Sequence, residues 1–381
     1  MTAQIYITRQ PVLNKQRAIT ANRLCLHTVG VVEPDGAISD ALNDLLDDWP
    51  AARTVFIGFA AEFAADVLGW KAPPNTMIEV PASMLQDAAG QQLIGELDAG
   101  GTPLCLDGYR SGMSLAGAPN FHFLLVDAGL APRVAGAPGL ALACRLADAA
   151  AFEVALKSGF DGAAGWFFLR AKPVSGKLTP SHSQIVRLLN LVRRNAEVRE
   201  IEQVLKQDVA LAARLLRYIN SAAFGLRSQI QSFRHAVTIL GYEKLHKWLS
   251  LLLVTSSKDP QAPALTQASV VRGRFMENIG KQFFDKTELD NLFITGAFSL
   301  LDVLVGAPLD TMLKEMHLPQ AIYDALIDHD GVYADFVDLA LACENDDVRA
   351  LSAKAAEVGV DAMDINRAHL RAIAFADSLA L

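Results

Sequence analysis

His329 and Asp330 stand side by side in Ile327-Asp328-His329-Asp330-Gly331, and imidazole and carboxylate are both ligands of divalent metals. Adjacency argues against a shared ion. Neighbouring side chains on a helix diverge by about 100°, and Gly331 marks a helix end where polar residues meet water. The dyad is read as solvated, and no metal ligand and no cofactor is assigned in the chain. Cys25, Cys105, Cys144 and Cys343 are scattered without a Cys-x-x-Cys pair, which speaks for free thiols in a reducing cytoplasm and against a zinc knuckle or disulfide framework. No Gly-x-Gly-x-x-Gly or P-loop follows an apolar run, so a Rossmann or ATP-binding assignment has no support.

The remaining chemistry is electrostatic. Between Arg187 and Lys247 there are 11 Lys and Arg against 5 Asp and Glu, in a chain of net charge −8, whereas the residues after Lys247 carry 10 basic and 20 acidic groups. A basic stretch of this kind can steer an acidic protein, a nucleotide or a nucleic acid, although solvated helix faces produce the same count. Arg193, Arg194, Arg214, Arg217 and Asn220 are the candidate partner contacts within it. Asn220, followed by small residues, is also suited to bonding a neighbouring backbone across a tight helix contact. Ala236 to Trp248 faintly suggests a helix-turn-helix. With an isoelectric point near 5.5 and no helix rich in base-reading groups, nucleic-acid binding is disfavoured.

Helices must present that stretch. After Pro180 and Ser181, Ile185, Val186, Leu188, Leu189 and Val192 recur at three-and-four spacing, which buries one face of a helix. A second helix carries Val198, Ile201, Val204 and Leu205 and ends near Gln207. Asp208 would cap a third that Gly225 stops. Ser232 to Leu240, closed by Gly241, and Tyr242 to Val254 complete a helical bundle. The N-terminal half instead alternates apolar strand-like runs with helical patterns. The runs are Gln4 to Thr8, Thr54 to Phe59, Met77 to Val80, Thr102 to Leu106, Phe121 to Val126, Leu140 to Ala143 and Gly165 to Leu169. Helices at Ala61 to Leu68, Ala82 to Leu97 and Ala149 to Ser158 connect them, which implies a parallel sheet, open or closed as a barrel. At 381 residues and 51% apolar the chain can bury two cores. Its longest apolar run, Trp248 to Val254, is too short for a bilayer, and Met1 to Ile7 shows no secretory signal, so a cytoplasmic protein is expected.

The stretch Leu178 to Val254, with Tyr218-Ile219-Asn220-Ser221-Ala222-Ala223-Phe224-Gly225 and Leu240-Gly241, resembles the core of an HDOD domain. That family shares the scaffold of metal-dependent HD phosphohydrolases without their ligands. Leu292 to Leu301 falls where an HD enzyme carries its metal-binding His-Asp pair, and the matching positions here are Ser299 and Leu300, which cannot build a metal centre.

Three further segments resemble the EAL phosphodiesterase domain, a barrel that hydrolyses cyclic di-GMP with carboxylate-bound metals. They are Ile5 to Leu13, Leu104-Cys105-Leu106-Asp107-Gly108-Tyr109, and Gly159 to Phe168, all within 5–173. Carried over residue by residue, that likeness puts the signature glutamate at Asn22, a metal-binding asparagine at Gly58, the second aspartate at Gly108, the catalytic lysine at Leu125, the next glutamate at Cys144 and the closing glutamine at Ala164. Only Glu79 and Asp107 keep carboxylates, as remnant ligand-binding residues. Two carboxylates fall short of the six oxygens that Mg²⁺ prefers.

The resulting expectation is an α/β plus all-α chain: a truncated, degenerate EAL-like (TIM-type) barrel at 1–172, a linker at 173–180 and a helical HDOD (HD-like) domain at 181–381. The function expected of it is that of a non-enzymatic cytoplasmic adaptor in cyclic di-GMP- or motility-linked signal transduction. Its partners would be signalling proteins, with no membrane and with a homodimer left open. The alternative is a cyclic dinucleotide bound, or weakly hydrolysed, at Glu79 and Asp107.

Overall fold

The computed structural model describes residues 4–30, 36–60, 63, 65–130, 134, 136–170, 178–207, 211, 213, 220, 230, 232–256 and 262–379. Contacts divide the chain into two compact units, Met1–Ala171 with Ala342–Leu370, and Lys172–Leu341 with Arg371–Leu381. The linker expected at 173–180 lies largely outside the described residues.

Eight strands close the first unit into a barrel: β1 (Gln4–Asn14), β2 (Ile19–Val29), β3 (Thr54–Phe59), β4 (Thr76–Pro81), β5 (Leu104–Asp107), β6 (Phe123–Asp127), β7 (Leu140–Cys144) and β8 (Gly162–Ala164). Neighbours from β2 through β8 run parallel, and β1 is antiparallel to both β2 and β8. The strand set is complete. Around it, short 3₁₀ turns such as Ala65–Gly69 stand among helices such as Ala88–Ala99 and Ala149–Lys157. Val12, Ala21, Phe56, Cys105, Leu125, Leu142 and Ala164, with Met77 against them, form one core cluster drawn from all eight strands, so these side chains face the barrel interior.

Two strand expectations are corrected. β2 is a strand that apolar patterning does not reveal, because on its inward face Ala21 is followed by Arg23, Cys25 and His27. Its outward residues Leu24 and Leu26 are the apolar ones. Gly165 to Leu169 is no strand: Gly165 has φ +125°, Phe167–Arg170 is a 3₁₀ turn, and β8 ends at Ala164.

β8 pairs with β1 only at Val12, Leu13 and Asn14, which leaves the backbone of Ile5 to Pro11 facing away from β2 to be satisfied otherwise. Gly165 N donates to Pro11 O at 3.0 Å, and the Trp166 indole donates to Arg9 O at 2.8 Å. The rest comes from the other end of the chain. Arg9 N donates to Cys343 O at 3.0 Å, Ile7 N to Asn366 Oδ1 at 2.9 Å, and Asn366 Nδ2 to Ile5 O at 2.8 Å. Residues 342–370, which sequence reading counted with the helical half, therefore pack with the barrel.

The second unit is helical. Pro180–Arg193 is capped by Thr179, whose hydroxyl accepts from His182 N, and it buries the expected stripe from Ile185 to Val192. Val198–Gln207 follows. Asp208, Gly225 and most of the third helix lie outside the described residues. Ser232 caps Phe233–Val254, and Gly241 breaks that helix with φ 76° and ψ 169°, as the two-helix reading required. Ala262–Gly280 crosses Lys286–Phe298 where a Cβ on Gly296 would lie 2.6 Å from Gly273 N.

Candidate functional site

The C-terminal ends of β3, β5, β6 and β7 open into a cavity of about 560 Å³ inside the first unit. This is the end of a barrel at which loops and strand ends assemble sites. Its wall carries Arg23, Arg110 and Arg145 together with Asp107, Asp127 and Asp346.

Arg23 dominates the floor. Its Nε lies 2.8 and 3.0 Å from the two Glu79 oxygens and its Nη2 2.8 Å from Oε2, a two-pronged pairing that matches the carboxylate plane. Asp107 Oδ2 stands 3.9 Å from Nη2, and Gln10 Oε1 accepts from Nη1 at 3.1 Å. Burial alone would lower the Arg23 pKa, but Glu79 above all, with a smaller contribution from Asp107, holds the guanidinium protonated, well above its ordinary range. Gly58, directly opposite, makes room: a Cβ there would sit 2.4 Å from Glu79 Oε2.

The surrounding groups are tuned by burial. It pushes the Cys25 and Cys144 thiols up to about 12, so neither is a thiolate nucleophile. It also holds His27 below its usual range, against the opposing pull of Asp346, and His27 Nε2 is 2.8 Å from Thr8 Oγ1. Asp127 accepts from Arg145 at 3.0 Å.

Glu79 and Asp107 are thus brought together, both against one guanidinium. Asn22 is not. Its Oδ1 accepts from Arg9 Nε at 2.8 Å, and strand alternation places Arg23, one residue on, at the inward position where the signature glutamate was sought. Gly58, Leu125, Cys144 and Ala164 do face inward. Sequence reasoning missed Arg23, Gln10, His27 and Asp346. The alternation Arg23, Cys25, His27 could have found the first and third, whereas no local signal marks Asp346.

In the helical unit, Arg194 pairs with Glu200 at 2.7 Å, and burial lowers the pKa of Arg193. Arg214 and Arg217 lie outside the described residues. Both amide atoms of Asn220 bond the backbone of Ile230, at 2.8 and 2.6 Å. Ser299 Oγ accepts from Arg272 and donates to Gly296 O, while Leu300 is buried. His329 ends a helical turn in the left-handed region at φ 53°. Among the described residues no group of three His, Cys, Asp or Glu side chains could hold a metal ion, and no helix is long and apolar enough to cross a membrane.

Comparison with known proteins finds an HDOD domain at residues 178–306. The Vibrio cholerae protein named cyclic di-GMP phosphodiesterase CdgJ is 27% identical over 220 residues, covering 57% of this chain and 50% of its own length. An uncharacterised Bacillus subtilis protein, YuxH, is 23% identical over 202 residues, covering 51% and 48%. The chain spans about half the length of these curated relatives. Among solved structures, the FimX EAL domain from Pseudomonas aeruginosa bound to c-di-GMP is 12% identical, covers 44% of this chain and 90% of its own, and has a TM-score of 0.31. The CdgJ name overturns the expectation of a non-enzyme, pointing to an enzyme instead. That expectation rested on carrying family positions over residue by residue, and the register of β2 misplaced the first of them: Arg23, not Asn22, lines the mouth.

Proposed function

We propose that the barrel is EAL-like, that its mouth takes a cyclic dinucleotide of the cyclic di-GMP class, and that the chain serves cyclic di-GMP-linked signal transduction through protein contacts of its HDOD domain. The observation that carries this reading is the meeting of Arg23, Arg110 and Arg145 in one cavity at the C-terminal ends of the strands. Guanidinium groups match the two oxygens of a phosphodiester in charge and shape. Asp107 and Asp127 on the same wall are acceptors for the N–H edge of a guanine. The CdgJ name and the HDOD match support the pathway.

Calorimetric titration of the purified chain with cyclic di-GMP tests the reading, with cyclic di-AMP as the specificity control. Saturable binding that weakens in Arg145→Ala, an exposed residue whose loss spares the core, is the expected result. Absence of binding, or equal binding of both dinucleotides unaffected by the substitution, would overturn it. Chromatography of the same samples after addition of Mg²⁺ or Mn²⁺ measures linear dinucleotide, and so whether the bound phosphodiester is cleaved.

A further inference from the structure

The mouth is not built from the barrel sequence alone. Asp346 follows Cys343, whose carbonyl accepts from Arg9 N and so fastens this part of the chain to β1. From that anchor the Asp346 carboxylate reaches into the mouth, where Oδ2 accepts from Gln10 Nε2 at 2.9 Å and Oδ1 lies 3.4 Å from Thr8 Oγ1. The other end of the Gln10 amide faces the floor, its Oε1 accepting from Arg23 Nη1 at 3.1 Å. Gln10 therefore stands between an anion and a cation, and the two charges dictate its orientation: the NH₂ must meet Asp346 and the carbonyl must meet Arg23. Reversed, the amide would set donor against donor at Arg23 and acceptor against acceptor at Asp346.

We propose that Asp346 is a positioning residue of the barrel mouth, acting through Gln10 to hold the Arg23 guanidinium, and that residues 342–370 are thereby part of the ligand site. The chain of contacts runs Asp346, Gln10, Arg23, Glu79, and each link joins a donor to an acceptor. Without Asp346 the Gln10 amide is held from one end only, by Arg23 itself, so Arg23 keeps Glu79 while the acceptor at its outer nitrogen is no longer fixed in place. The effect on a ligand rests on the cyclic-dinucleotide reading above, whereas the effect on Arg23 does not.

The test compares Asp346→Ala, which removes the acceptor, with Asp346→Asn, whose side-chain carbonyl can still accept from Gln10. Two readouts are taken on the whole 381-residue chain. One is the Nε–H resonance of Arg23 in ¹⁵N-labelled protein without ligand, assigned by its loss in Arg23→Lys, and the other is cyclic di-GMP affinity. The resonance should shift and exchange faster with solvent in Asp346→Ala and stay in place in Asp346→Asn. Affinity should fall about tenfold in the alanine variant, the scale of one net charge-assisted hydrogen bond, and stay within about twofold in the asparagine variant. An unmoved Arg23 resonance in Asp346→Ala overturns the proposal, as does an asparagine variant that behaves like the alanine one, because the effect would then be charge alone. If the wild-type chain binds no cyclic di-GMP, the reading of the mouth fails while the Arg23 resonance still decides the positioning role.

Discussion

Gly58 and Glu79 face each other across neighbouring strands so closely that a Cβ on Gly58 would lie 2.4 Å from Glu79 Oε2. Glycine on β3 is thus a condition for the Arg23–Glu79 pair, since any side chain there would occupy the space of the carboxylate. Gly58→Ala should displace Glu79 and lower stability by about 1–3 kcal/mol, the usual cost of overpacking a tight interior. Thermal melts beside cyclic di-GMP titration check this. A variant as stable as the wild type with unchanged binding would show that the pair tolerates the added carbon.

Removing the cation alone should hurt more than removing the pair. Arg23→Met leaves Glu79, only 3% exposed, as a buried carboxylate without its partner, at a cost of about 3–5 kcal/mol. Combining Arg23→Met with Glu79→Leu should recover much of that stability, though not ligand binding. A double-mutant cycle in urea measures the coupling, and additive losses would mean that the pair contributes little.

Asn366→Ala should open the barrel seam. It strips the partners from Ile7 N and Ile5 O, two backbone groups in the buried part of β1, for an expected loss of about 2–5 kcal/mol. Amide hydrogen exchange locates the effect: Ile7 should lose protection while Leu24 and Leu26 on the far side of β1 change less. Uniform loss across the barrel would point to global unfolding in place of local opening.

Burial, with Arg9 nearby, lowers the pKa of His369 to about 3, and the ring bonds the backbone of Ile7. A histidine in the unfolded chain titrates near 6.5, so between about pH 6.5 and 3 the unfolded state binds the proton more tightly. Stability contributed by neutral His369 is complete above that window and falls as pH drops through it, by at most about 1.4 kcal/mol per pH unit. Melting temperatures from pH 7 to pH 4 should decline less steeply in His369→Gln than in the wild type. Parallel slopes in the two proteins would assign the acid sensitivity to other groups.

Local pattern determined much of this protein. The alternation of apolar runs with helical stretches implied the parallel strands, and three-and-four spacing from Ile185 to Val192 marked the first helix of the HDOD domain. Gly241 marked the break between two helices because only a residue without a side chain adopts φ 76° cheaply. Glu79 and Asp107 were picked out by the EAL resemblance, not by local pattern. Where Arg23 points was not legible, because facing depends on register, and a shift of one residue along β2 exchanges it with Asn22. β2 escaped notice for a related reason: its inward face turns polar where it lines the mouth, the reverse of the pattern by which strands are found. The contribution of Asp346 and Asn366 was settled only by tertiary structure. Asn366 bonds the backbone of Ile7 and Ile5, on an edge of β1 left open because β8 is three residues long, and Asp346 bonds the Gln10 side chain; these partners lie more than 330 positions away, and no local preference in sequence encodes which distant segment will meet them.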